Sequence, residues 1–185
     1  MSSVTKIWDG TTVAEVDALT GYLVGIDIVH HKAHEGGLFS TWAEDTDVDI
    51  IAPKQFWLKT GAKEVHWSGT VACTYGLTAQ LYDMNDSGVT SSGTAMDITN
   101  HYDGHANTPT AEWYEDATFS GGTTSVIAKN RIYGTGSNNN NRVGGEARSR
   151  EEQILQPNHN YLVTFTVDAD TQKVFFNTGW YEVII

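Results

Sequence analysis

Apolar and polar residues alternate with a period of two through much of this chain. In Gln55–Thr60, Phe56 and Leu58 alternate with Trp57 and Lys59. In Tyr161–Val167, Val163, Phe165 and Val167 alternate with the less apolar set Leu162, Thr164 and Thr166. Residues two apart share one face of a strand, so each run turns one face to a core. Runs of this kind predict strands over Leu38–Ala43, Asp47–Ile51, Gln55–Thr60, Val65–Thr74, Leu77–Tyr82, Ala111–Tyr114, Thr124–Ala128, Glu152–Leu155, Tyr161–Val167 and Lys173–Val183. Their length and spacing suit an all-β sandwich or barrel and not alternating strands and helices.

The first residues follow another pattern. Asp9-Gly10-Thr11-Thr12 is a turn signal and Val13 to Val16 are small or mixed, whereas the chain from Gly21 becomes extended and β-branched. Residues 1–20 are therefore expected to form an arm, and residues 21–30 the first strand of a sandwich domain spanning 21–185. Asn85–Pro109 and Gly134–Ser149 are rich in Gly, Asn and Ser and are expected as long loops. No repeat of 20–50 residues runs through the chain, which argues against a solenoid or propeller.

Composition sharpens the class. Eighteen glycines against three prolines, with abundant Thr, Val and aromatics, match many short strands and turns. Cys73, the one cysteine, excludes an intramolecular disulfide and reads as a small buried hydrophobe. The N-terminus lacks the basic and apolar stretches of a signal peptide, so synthesis in a cytoplasm without general secretion is expected. Eleven basic residues against 23 acidic ones, net charge −12, argue against direct nucleic-acid binding. The charge is unevenly divided, because residues 1–120 hold 17 acids and 5 bases whereas residues 121–185 hold 6 of each.

Candidate chemistry is sparse. His30 and His34 have the i, i+4 spacing of metal ligands on a helix, but Gly36-Gly37 leaves little room for that helix and the His-Glu-x-x-His order is absent. Glu44-Asp45-Thr46-Asp47-Val48-Asp49 is the densest acidic run, without the glycine and terminal glutamate of an EF-hand loop. The Gly-x-Ser-x-Gly elbow and the phosphate-binding GxxxxGK[ST] loop are both missing. Neither a cofactor nor a metal nor an enzymatic activity is expected. Trp57, Trp67 and Trp113 lie in strand patterns that place them in a core or an interface before a sugar-stacking platform.

Two stretches carry a resemblance. Trp8-Asp9-Gly10-Thr11, Leu19-Thr20-Gly21-Tyr22-Leu23 and His30-His31-Lys32-Ala33-His34-Glu35-Gly36-Gly37-Leu38-Phe39 resemble the N-terminal part of small structural proteins of tailed bacteriophages. Glu152-Gln153-Ile154-Leu155-Gln156-Pro157-Asn158-His159-Asn160-Tyr161-Leu162-Val163 and the final Trp180-Tyr181-Glu182 are similar to their C-terminal half. The resemblance implies a jelly-roll-like β-sandwich with an extended N-terminal arm, located in the virion as a capsid decoration (cement) protein. It further implies a homotrimer bound to the major capsid protein of the shell, with no direct nucleic-acid or membrane partner. A receptor- or carbohydrate-binding module of a head or tail fibre is the alternative.

The expected partner-contacting residues follow from that reading. Ile7, Trp8, Val13, Val16 and Leu19 are apolar yet separated by polar turns, so they are expected to bury against another subunit or the shell. His30, His31, His34 and Glu35 are expected as a polar strand end packed on a neighbour. Arg142, Arg148 and Arg150 are expected to meet Glu44, Asp45 or Asp47 of the next subunit.

Overall fold

The computed structural model describes residues 6–8, 13–16, 23–24, 32–33, 35–84, 90–104, 107–120, 125–132 and 152–183. They form fourteen described strands: β1 (Lys6–Trp8), β2 (Val13–Val16), β3 (Leu23–Val24), β4 (Leu38–Val48), β5 (Lys54–Lys59), β6 (Glu64–Cys73), β7 (Leu77–Asp83), β8 (Thr90–Ala95), β9 (Thr99–Asn100), β10 (Glu112–Ser120), β11 (Ser125–Ile132), β12 (Gln153–Leu155), β13 (Asn160–Val167) and β14 (Gln172–Val183).

The described residues are all-β, and two antiparallel sheets make up the sandwich. One has the order β11-β7-β13-β5-β10-β8 and the other β12-β6-β14-β4-β9. The pairing is nested: β4 pairs with β14, β5 with β13, β6 with β12 and β7 with β11. Successive pairs of this ribbon fall in alternate sheets, and β6·β14 and β7·β13 join neighbouring turns of the winding. Strands β8 and β10 extend the six-stranded sheet beyond β5, and β9 pairs with β4.

The inner faces meet in an aromatic core. Phe176 of β14 lies 5.0 Å from Phe56, 5.1 Å from Phe165 and 5.7 Å from Trp113, all three on the opposite sheet. Trp113 also faces Trp180 at 6.3 Å. Tilted aromatic pairs at these separations add to the burial of their area, so these contacts hold the sheets face to face. Phe56 and Leu58 are in the core as their alternation requires. In β13 the alternation is overridden: Leu162 and Thr164, on the outer face, are buried too. The strand lies between β5 and β7, whose side chains flank it on both sides.

Several expected boundaries change. Asp47–Ile51 is not a separate strand, because β4 runs to Val48 and Asp49 and Ala52 then close a turn with Ile50 and Ile51 at its tip. Two isoleucines mimic a strand locally, and the bridge across them overrides that preference. The loop expected over Asn85–Pro109 contains β8 and β9. The sequence of β8, Thr-Ser-Ser-Gly-Thr-Ala, carries no apolar alternation because this strand sits at a sheet edge. Residues 1–20, expected as an arm, contain β1 and β2. With β3 these form a separate three-stranded antiparallel sheet, in register Ile7↔Ala14 and Glu15↔Val24. Of the strand expected over 21–30, Leu23–Val24 is described and pairs with β2. The loop expected over Gly134–Ser149 lies outside the described residues.

Candidate interaction surfaces

A cavity of about 290 Å³ opens between the two sheets on the side where β11 and β12 are the outermost strands. Its floor is apolar, with Trp67 and Val71 of β6, Leu81 of β7, Val163 and Phe165 of β13, and Phe176, while Ser68, Thr70, Gln80, Asn130 and Gln153 also line it and make it mixed. Gly69, Ala79 and Ala128 line it as well, and their small size leaves the space unfilled. Gly69 is required by the aromatic floor, since a Cβ there would meet Trp67 at 3.1 Å and Phe176 at 3.3 Å. The Trp67 indole N–H donates to the Thr178 hydroxyl, which donates to the Ser68 carbonyl at 3.0 Å, so the floor is held in place. β12 covers only Val65–Trp67 of β6, which leaves Ser68–Cys73 without a strand on that edge among the described residues.

The outer face of the five-stranded sheet displays aromatics. Trp42 of β4 is 63 % exposed, Phe175 of β14 is 42 % exposed, and their rings stack at 6.3 Å. Toward the other end of that face, Tyr181 stacks on His66 at 4.6 Å, and His66 lies 3.0 Å from Glu64 and 3.1 Å from Glu152. The six-stranded sheet carries Trp57 on its outer face, stacked on Tyr114 at 4.5 Å with Phe119 edge-on. The Trp57 indole N–H donates to Asn160 at 3.0 Å. Trp113 is a core residue and Trp67 is half-buried against the core, as their strand patterns require.

The charged groups form local pairs. Lys54 lies 2.6 Å from Asp116, 3.2 Å from Asp45 and 3.7 Å from Glu115. Burial pulls the Lys54 ammonium down, but its hydrogen bonds to Asp116 and Asp45 outweigh that and raise it above the ordinary lysine range. The Cys73 thiol is pushed up to about 11, mainly by burial, and donates to the Tyr75 carbonyl at 2.6 Å. Among the described residues, no group of three or more His, Cys, Asp or Glu is arranged to hold a metal ion. Likewise, no described helix is long and apolar enough to cross a membrane.

Of the residues expected to contact partners, Ile7 and Trp8 fall in β1, and Val13 and Val16 in β2. Glu35 lies in an exposed turn and pairs with Lys32 at 2.8 Å. Leu19, His30, His31, His34, Arg142, Arg148 and Arg150 lie outside the described residues. The inter-sheet cavity and the Trp42–Phe175 pair escaped sequence reasoning. Trp42 alternates with Thr41 and Ala43 on β4, and that period was the one signal that could have placed it outward.

No protein-family model, curated protein or solved structure matches this chain.

Proposed function

We propose that this chain is a non-enzymatic virion protein of a tailed phage, a capsid decoration protein with a jelly-roll sandwich that binds the assembled shell. The observation that carries the reading is the nested ribbon of four strand pairs, β4·β14 to β7·β11, wound into two sheets. Eight strands wound in two sheets are the plan of jelly rolls, an architecture that viral capsid domains use. The separate sheet β1-β2-β3, whose strands β1 and β2 contain Ile7, Trp8, Val13 and Val16, supports a second element for attachment to the major capsid protein. The mechanism is mass action: a protein that binds the assembled state and not dispersed subunits stabilises assembly. Repeated copies on a lattice turn weak contacts into firm attachment, and a homotrimer matches the local symmetry of such lattices.

The test compares particles assembled with and without this chain by electron cryomicroscopy and by the temperature at which heads open. Added density on the head surface and a higher opening temperature are expected. Density on a tail or fibre, with unchanged heads, would overturn the decoration role. The exposed Trp42–Phe175 pair favours a second reading, a carbohydrate-binding module, since flat exposed aromatics stack on sugar rings. Glycan binding by purified protein that is lost in Trp42→Ala would establish it.

A further inference from the structure

The turn between β4 and β5 presents apolar side chains where polar ones are usual. Tight turns favour Gly, Pro, Asn, Asp and Ser, yet Ile50 and Ile51 form this tip, with Ile51 91 % exposed and Ile50 45 %. The tip is braced and not loose. The Ile50 N–H donates to Asp170 at 2.9 Å, the Thr171 N–H donates to Asp49 at 3.0 Å, and the Ala52 N–H closes on the Asp49 carbonyl at 3.1 Å. A branched aliphatic side chain is thus held out in water on a rigid support.

The same chain has a matching hole. The inter-sheet cavity measures about 290 Å³, and an apolar cavity of about 150 Å³ already admits benzene, so one isoleucine side chain fits. None of the residues lining it is acidic, in a chain of 23 acids. The charge beside it is Lys129, exposed on β11 and without a carboxylate partner among the described residues. Asp49 and Asp170 hydrogen-bond at the isoleucine turn, and Asp47 precedes it on β4. The knob is acid-flanked and the hole base-flanked, and they share no residue.

We propose that the occupant of the cavity is a second copy of this chain, whose Ile51 enters between β6 and β11 in a head-to-tail contact. Such a contact uses two different patches, so it propagates into a closed ring or a filament. Steering by the acidic turn toward Lys129 orients the encounter, and burial of Ile51 with exclusion of water from the hole supplies the affinity. This contact rests on the self-association proposed above and not on any shell, so it is tested in the absence of particles.

The experiment is sedimentation equilibrium of the full chain over a range of micromolar concentrations, with Ile51→Ser and Ala128→Trp variants. Ile51→Ser removes the knob and keeps the hole; Ala128→Trp fills the hole and keeps the knob. The wild type is expected to associate and each variant alone to be monomeric. An equimolar mixture of the two should form a 1:1 dimer, because one intact knob meets one intact hole. A monomeric wild type, an Ile51→Ser variant that associates like the wild type, or a mixture that stays monomeric would each overturn the proposal. Should Ala128→Trp fail to fold, Ile51→Ser alone decides, since its exposed side chain lies outside the core. Loss of association supports the contact and retention overturns it. Particle binding by a monomeric wild type would leave the decoration reading standing while removing this one.

Discussion

Asp49 and Asp170 each accept a backbone hydrogen bond from the other's turn: Asp49 from Thr171 at 3.0 Å and Asp170 from Ile50 at 2.9 Å. The two turns, 120 residues apart in sequence, are thereby tied at one end of the sandwich. Thr171 has φ near 60°, a conformation that costs a β-branched residue energy and persists because the surroundings hold it.

Replacing Asp170 or Asp49 with Ala is expected to lower stability by about 1 kcal/mol, the usual size of one such hydrogen bond. The double substitution should cost less than the sum of the two, because both carboxylates brace the same pair of turns. Urea denaturation of the four proteins measures this. Strict additivity would show that the turns are held independently.

Glu182 is the most consequential charged side chain in the described core region. Only 2 % exposed, its carboxylate accepts from Thr110 N at 2.7 Å, Ala111 N at 2.8 Å and the Thr110 hydroxyl at 2.9 Å, with Lys63 at 3.5 Å. These contacts tie the segment entering β10 to the end of β14. Gly61 is part of the same arrangement, since a Cβ there would approach Thr110 to 2.5 Å. Glu182→Ala strands two backbone donors and is expected to cost about 2–4 kcal/mol, with Glu182→Gln in between. Chemical denaturation showing less than about 0.5 kcal/mol for Glu182→Ala would remove that role.

Acid should destabilise the fold through Asp45 and Glu112. Burial alone would raise Asp45, but the Asp47 N–H at 3.0 Å and Lys54 outweigh it and hold the carboxyl below its ordinary value. The Tyr114 hydroxyl at 2.8 Å and Lys59 at 3.1 Å lower Glu112. A carboxyl whose value is depressed on folding adds stability above its unfolded value, and that stability is lost as pH falls through the depressed one. The melting temperature should therefore drop as pH is lowered below about 4. Both groups are partly solvated, so each contributes less than about 1 kcal/mol. Asp45→Asn should flatten the acid limb of the profile, and an unchanged limb would count against the pairing.

Cys73 should be unreactive in the folded protein. With its thiol pushed up to about 11 by burial and by the nearby Asp168 carboxylate, almost no thiolate exists at neutral pH. Alkylation by iodoacetamide is expected only after unfolding. Rapid labelling of the native protein at neutral pH would contradict the burial.

Period-two alternation was enough to predict an all-β chain, the strand positions of β5, β6, β7 and β13, and the core faces of Phe56, Leu58, Val163, Phe165 and Val167. Those features are local, because a side chain's face depends only on its parity along the strand. β8 was invisible because an edge strand needs no apolar face, and Ile50-Ile51 read as strand because a turn's closure depends on a bridge and on Asp170 far along the chain. Pairing of β4 with β14 and of β7 with β11 is set by contacts between distant segments, and no periodicity records which strand lies beside which. The cavity is the clearest case: Gly69, Ala79 and Ala128 are unremarkable small residues until β6, β7 and β11 bring them together. A hole is a property of the packed space between sheets, and only the assembled chain creates it.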